Sequence, residues 1–188
     1  MPFKTTEDWQ LHDTAGQRKY LNASEFRQFL AAADSYRQRR RALCYVLAYT
    51  GCRLSEALAL TVQQFDAELR TLTFRTLKRR RLSFRTVPVP DVVRDMLCQI
   101  PTAADGRFWP VHRATGWRWL KPAMRRAGIA GAMASPKGLR HGFGMRAAGQ
   151  NIPLPLIQKW MGHASLTTTS IYLDAVGPEE RQFASRLW

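Results

Sequence analysis

The chain has 188 residues, 45% hydrophobic, 11% aromatic and 23% charged, a balance that fits one packed domain and excludes a disordered or low-complexity chain. Lys and Arg number 29 against 14 Asp and Glu, giving a formal net charge of +15 and a pI near 10.8, which predicts capture of a polyanion, nucleic acid first. No apolar run reaches the roughly 18 residues that cross a bilayer, and the start MPFKTTEDWQ has no apolar signal core, so no membrane association and a cytoplasmic location are expected.

The first 20 residues lack periodicity and read as an N-terminal arm. Asn22, with Glu25 three residues on, makes a capping-box start for a helix that carries Phe26, Phe29 and Leu30 on one face and ends near Asp34. A second helix is expected over 37–49, basic in its first turn and apolar in its body, with Thr50 and Gly51 at its C-terminal end. Ser55 is placed to cap a short helix through Ala59. Leu72 and Phe74 then alternate with polar residues, and Phe84 and Val87 less regularly, around a basic KRRR turn, which predicts a hairpin.

Pro88 and Pro90 end the second strand, and Asp91 is placed to cap a helix through Ile100. GWRWLKPAMRRAG reads as a helix despite Pro122, ending at Gly128, and Ser135–Pro136 as the start of the next. Two short helices follow, one after Pro155 to Met161 and one over 168–173. The expected fold class is mainly α with a small antiparallel β-sheet (α+β). Cys44, Cys52 and Cys98 are odd in number and have no C-x-x-C spacing, so neither a disulfide framework nor a metal site is expected.

Four segments carry chemistry. In TGCRLSEALAL, Arg53 follows a helix end, and Glu56 is three residues on, in reach of its guanidinium. In PKGLRHGFGMR, Lys137, Arg140 and His141 fall at i, i+3 and i+4 near a helix N-terminus, a place suited to a phosphate. In KWMGHASLTTTSIYLD, His163 follows Gly162, and Tyr172 comes nine residues later. In TLKRRRLSF, Lys78 begins the hairpin turn. Each has a plainer reading: a surface ion pair, a solvated basic face, a core tyrosine, a charged edge that blocks strand pairing.

Taken together, and in this order, these segments resemble the catalytic domain of the phage integrases, or tyrosine recombinases, over about residues 20–188. The resemblance implies that Arg53 and Arg140 bind the phosphate, Lys78 is the hairpin lysine, His163 is the third-box histidine and Tyr172 is the nucleophile. Glu56 and His141 then support the site, and Arg79, Arg80 and Arg81 contact DNA. It further implies cleavage and rejoining of double-stranded DNA through a 3′-phosphotyrosyl linkage, with Lys78 protonating the leaving 5′ oxygen. Neither metal, ATP nor any other cofactor is expected. The resemblance places the chain with proteins of DNA integration, site-specific recombination and mobile genetic elements.

Two departures stand out. Lys137 occupies the first position of the usual H-x-x-R motif; it is expected to act as a third phosphate ligand within the catalytic set. Only about twenty residues precede the first helix, so no separate N-terminal DNA-clamping domain is expected. The short form resembles the fimbrial-switch invertases, or an excised fragment of a longer protein. Affinity should then lean on phosphate contacts from 37–41, 78–81 and 113–126 and fall steeply with salt. Phe183, Leu187 and Trp188 form an apolar stripe, suited either to packing on the domain itself or to self-assembly as a dimer or tetramer on DNA through a C-terminal helix. Two alternatives stay open: a DNA-relaxing enzyme of the type IB kind, and a DNA-binding regulator that no longer cleaves.

Overall fold

Asn22 opens the first helix, α1 (Ala23–Asp34), as its sequence pattern requires. Its side chain accepts the Glu25 N–H at 2.8 Å, and the Glu25 carboxylate accepts the Asn22 N–H at 2.8 Å, which satisfies two helix-end donors reciprocally. The computed structural model describes residues 10–76, 83–173 and 184–185. Lys78, Arg79, Arg80 and Arg81 therefore lie outside the described residues, as do Phe183, Leu187 and Trp188.

Helix α2 (Gln38–Thr50) is buried from Ala42 to Ala48 and ends at Gly51, whose φ of 60° is left-handed. A side chain at Gly51 would be strained, and its Cβ would lie 2.6 Å from the Phe143 ring. Helix α3 (Leu54–Leu58) begins two residues earlier than a Ser55 cap would set it. The reason is Glu56, which accepts the Arg53 N–H at 2.8 Å and so satisfies the donor from the third helical position instead.

A turn of 3-10 helix (Val62–Gln64) leads into a three-stranded antiparallel sheet of β1 (Phe65–Asp66), β2 (Thr71–Arg75) and β3 (Phe84–Pro88), in that order. The hairpin is as expected, and the two-residue β1 is an addition too short to carry a period. Leu72 pairs with Val87 and Phe74 with Arg85, so these four side chains point inward and Phe84 is 56% exposed. The expected inward role of Phe84 is thus corrected by strict two-residue alternation back from Val87.

Pro90, rather than Asp91, is the cap residue of α4 (Asp91–Gln99), and it offers no side-chain bond. Asp91 instead pairs with Arg94 one turn on, at 3.1 Å. Helix α5 (Arg113–Arg126) runs through Pro122. One turn earlier the Arg40 guanidinium donates twice to the Trp119 carbonyl, at 2.9 and 2.7 Å, where a proline ring crowds the preceding turn. Ser135 caps α6 (Pro136–Gly149) through the Gly138 N–H at 3.1 Å. Helices α7 (Leu154–Met161) and α8 (Thr167–Ser170) follow, separated by left-handed Gly162.

The main core gathers α1, α2, the sheet, α4 and α5 around residues such as Phe29, Leu43, Leu47, Phe74 and Trp109, each such burial contributing about 1.5–3 kcal/mol. A second cluster joins Leu11 and Tyr20 to Met145, Ile157, Met161 and Tyr172. Part of the expected arm therefore folds back: Lys19 donates to the Leu11 carbonyl at 2.8 Å, and Tyr20 is buried. Several arginines of 37–41 and 113–126 serve the fold itself. Arg39 donates to the Pro101 carbonyl, Arg41 pairs with Asp34 and Arg126 donates to the Ala32 carbonyl, whereas Arg113, Arg118 and Arg125 stand exposed. Among the described residues no helix is long and apolar enough to cross a membrane.

Candidate active site

Two helix ends build a seat for one guanidinium. The carbonyls of Gly51, at the close of α2, and Met161, the last residue of α7, accept from Arg140 at 2.7 and 2.6 Å. Carbonyls at helix C-termini lack intrahelical partners and carry the negative end of the macrodipole, which suits a cation. These bonds use two of the five N–H donors of the fork. Burial, and then the nearby Arg53, bring the Arg140 pKa down to about 10, so it stays charged at neutral pH.

Glu56, buried on α3, is the anchor of Arg53. It accepts the Arg53 Nη1–H at 2.8 Å as well as the backbone N–H. Burial would raise its pKa, but hydrogen bonds and charge from Arg85, with those from Arg53, outweigh it and hold the carboxyl below its ordinary value. Arg85 reaches the same carboxylate from β3, with Nη2 at 2.6 Å and Nη1 at 3.3 Å. The sequence reading missed Arg85. The signal was there, since alternation from Val87 places residue 85 on the inner face.

His163 follows directly on Gly162. Its Nδ1 lies 2.8 Å from Thr169 Oγ1, and its ring stacks on that of Tyr172 with centroids 6.3 Å apart and planes 20° apart. Burial, then Arg140 and Arg53, push its pKa down to about 2, so the imidazole is neutral. Thr169 is a second residue missed; a threonine in TTTS gives no distinguishing pattern.

Tyr172 is 2% exposed, with its phenolic oxygen 3.1 Å from His141 Nδ1. Its ring lies on Gly144 of α6, where a Cβ would come within 2.4 Å of Cζ. Burial raises the phenol above its ordinary value. Burial, then Lys137 and Arg140, lower His141 to about 3. The expected convergence of Lys137, Arg140 and His141 is met only in part. Arg140 and His141 turn inward, but Lys137 is exposed in the first turn of α6.

Arg53, Glu56, Arg140, His141, His163 and Tyr172 thus share one locus. Residues 19–176, from before α1 to past Tyr172, match the model of the phage integrase family. The chain belongs to that family. Among integrase-family relatives, the tyrosine recombinase XerD of Mycobacterium tuberculosis is 31% identical over 150 residues, 71% of this chain and 47% of the relative. The tyrosine recombinase XerA of Pyrococcus furiosus is 30% identical over 180 residues, 89% of this chain and 61% of the relative. The chain spans about half the length of the mycobacterial relatives it matches. The crystal structure of the XerA recombinase superposes with a TM-score of 0.76 at 26% identity, covering 89% of this chain and 64% of that one. That of the XerH site-specific recombinase bound to palindromic difH substrate gives 0.77 at 22% identity, covering 92% and 54%, a likeness of fold.

Proposed function

We propose that this integrase-family domain is a site-specific recombinase that cleaves and rejoins double-stranded DNA, with Tyr172 as nucleophile. The observation that carries the reading is the meeting of the Tyr172 phenol with His141 and His163 in the field of Arg53 and Arg140. Phosphoryl transfer needs charge on the nonbridging oxygens to be met by fixed donors, and two guanidiniums supply always-charged forks. Arg53 and Arg140 take that role, His163 hydrogen-bonds the phosphate, and Lys137 adds a third ligand from the start of α6. Glu56 and His141 hold Arg53 and the phenol.

The Tyr172 phenol passes its proton to the neutral His141 imidazole beside it, its oxygen forms the new bond to phosphorus and the bond to the 5′ oxygen breaks, leaving a 3′-phosphotyrosyl linkage. The 5′ oxygen takes a proton from Lys78, and Arg79, Arg80 and Arg81, next in sequence, bind the DNA backbone. The bond energy is kept in the adduct, so no ATP, metal or other cofactor enters. Because Tyr172 is buried, docking of DNA must open the path to its phenol. Self-assembly on DNA as a dimer or tetramer through a C-terminal helix, and action in the cytoplasm, complete the reading.

The test is incubation with nicked suicide duplexes drawn from the chain's genomic neighbourhood, scored as a covalent protein–DNA band on a denaturing gel. The expected band disappears in Tyr172→Phe; a band that persists in that variant overturns the reading. A second reading, a DNA-binding regulator without cleavage, is favoured by the burial of Tyr172 and by Lys137 in place of histidine. It predicts specific retention of DNA with no adduct. A type IB-like relaxing enzyme would form the adduct but relax a plasmid lacking paired sites.

A further inference from the structure

We propose that Arg85 is a positioning residue for the phosphate clamp: by taking one edge of the Glu56 carboxylate, it keeps the Arg53 fork turned toward the scissile phosphate. The inference rests on the reading of Arg53 and Arg140 as that clamp.

Arg85 is itself fully engaged inside the protein. Its side chain is 4% exposed, against 19% for Arg53 and 0% for Glu56. Nη2 and Nη1 reach Glu56, Nη1 also lies 3.4 Å from Thr76 Oγ1, and Nε donates to the Trp160 carbonyl at 2.8 Å. The guanidinium carbon lies 5.2 Å from the Phe74 ring centroid. Arg85 is therefore spent on protein partners, and its charge acts on the site through Glu56.

A buried carboxylate facing one arginine draws that arginine into a two-pronged, in-plane pair. Here Oε2 is shared by Arg85 Nη2 at 2.6 Å and the Arg53 backbone N–H at 2.8 Å, Arg85 Nη1 lies 3.3 Å from Oε1, and the Arg53 guanidinium contacts Glu56 through Nη1 at Oε1 alone. The remaining Arg53 donors are then left for an anion. Without Arg85 the Arg53 guanidinium is the one remaining charged partner of the Glu56 carboxylate, which draws further Arg53 donors onto it and away from an anion.

The same side chain also sets the second half of the clamp. Its Nε holds the Trp160 carbonyl, next to the Met161 carbonyl that seats Arg140. A Cβ on Gly162 would lie 3.0 Å from Arg85 Cδ, Cζ and Nε, so the guanidinium is laid against the backbone just before His163. Arg85 sits in β3, seven residues after Lys78 in sequence. A cavity of about 230 Å³ opens beside it, lined by Thr76, Ser83, Lys159 and His163 among others. One buried side chain thus links α3, the hairpin and the end of α7.

The test is single-turnover cleavage of a nicked suicide duplex by the full chain, in a double-variant cycle of Arg85→Gln and Arg53→Lys, with DNA affinity measured in parallel. Arg85→Gln is expected to slow cleavage about 30-fold at saturating DNA and to change the half-saturating DNA concentration less than about threefold, since the loss is in transition-state stabilisation. In the Arg53→Lys background the same change should cost less than about threefold, because the fork to be positioned is gone. Arg85→Lys, which can meet Glu56 but not Glu56 and Trp160 together, should fall between.

Full, multiplicative loss in the Arg53→Lys background, or wild-type cleavage by Arg85→Gln, overturns the proposal. Should Arg85→Gln fail to fold because Glu56 is left under-paired, the pair Arg85→Met with Glu56→Gln removes both charges together. That folded pair is expected to cleave poorly, and wild-type cleavage by it overturns positioning. Absence of an adduct from the unaltered chain is a different result and removes the recombinase reading together with this one.

Discussion

The phenolic oxygen of Tyr172 and Nδ1 of His141 form a hydrogen-bonded pair at 3.1 Å, joining residues 31 positions apart in a buried environment. This pair holds the proposed nucleophile in the DNA-free chain. Tyr172→Phe deletes it, and the expected cost is about 1–2 kcal/mol of folding stability, as for removing one partner of a buried bond. Urea denaturation measures it; an unchanged midpoint would mean that the pair is not formed in solution. The same variant is expected to form no covalent DNA adduct.

Gly144 permits the Tyr172 ring to lie on α6. Alanine there would place Cβ 2.4 Å from Cζ and 2.5 Å from Cε2, so the ring must move. Overpacking of this kind costs about 1–3 kcal/mol, against the roughly 1 kcal/mol of helix propensity that alanine gains over glycine. Gly144→Ala is therefore expected to lower the melting temperature and to increase nitration of Tyr172 by tetranitromethane. A melting temperature raised by the substitution, with no gain in nitration, contradicts the packing.

Acid should unfold the protein early. His141 and His163, pushed down by burial and neighbouring cations to about 3 and about 2, stay neutral in the fold, whereas each titrates near 6.5 when unfolded. The unfolded chain then binds more protons below 6.5, so their contribution is present above that pH and is lost as pH falls toward the folded values. At pH 5.5 each imidazole should lower stability by about 1.4 kcal/mol relative to neutral pH. Glu56, with its lowered value, adds loss only below about its ordinary 4.5. Equal unfolding free energies at pH 7.5 and 5.5 would show that both rings are solvated.

Lys137 is exposed in the first turn of α6, where the positive end of the helix dipole favours an anion. Lys137→His is expected to keep adduct formation, and Lys137→Ala to reduce its rate about tenfold, the loss of one charge-assisted contact. Single-turnover cleavage decides; an alanine variant as fast as the unaltered chain removes Lys137 from the catalytic set.

The helices were legible because their punctuation is chemical: Asn22 with Glu25, Gly51, Ser135 with Pro136 and Gly162 all act where their residue types require. Arg53, Arg140, His163 and Tyr172 were legible as a set of motifs, and the fold brings them to one locus. Arg85 was not, because a charged residue in a strand reads as solvent-facing unless the alternation is followed strictly from Val87. The cap of α3 also escaped, since Ser55 offered the commoner capping type while Glu56 takes the Arg53 N–H, and the Arg85 bond that shares its carboxylate comes from 29 residues away. Such bonds over long sequence separations leave no local trace.

The carbonyls held by arginines carry a final consequence. Arg39, Arg40, Arg126, Arg140 and Arg146 each donate to a main-chain oxygen far away in sequence, at Pro101, Trp119, Ala32, Gly51 with Met161, and Ala48. A planar fork can bridge two fixed oxygens or grip one with two donors, which a single ammonium cannot reproduce. Exchanging these five for lysine would leave the isoelectric point almost where it is and take apart the scaffold.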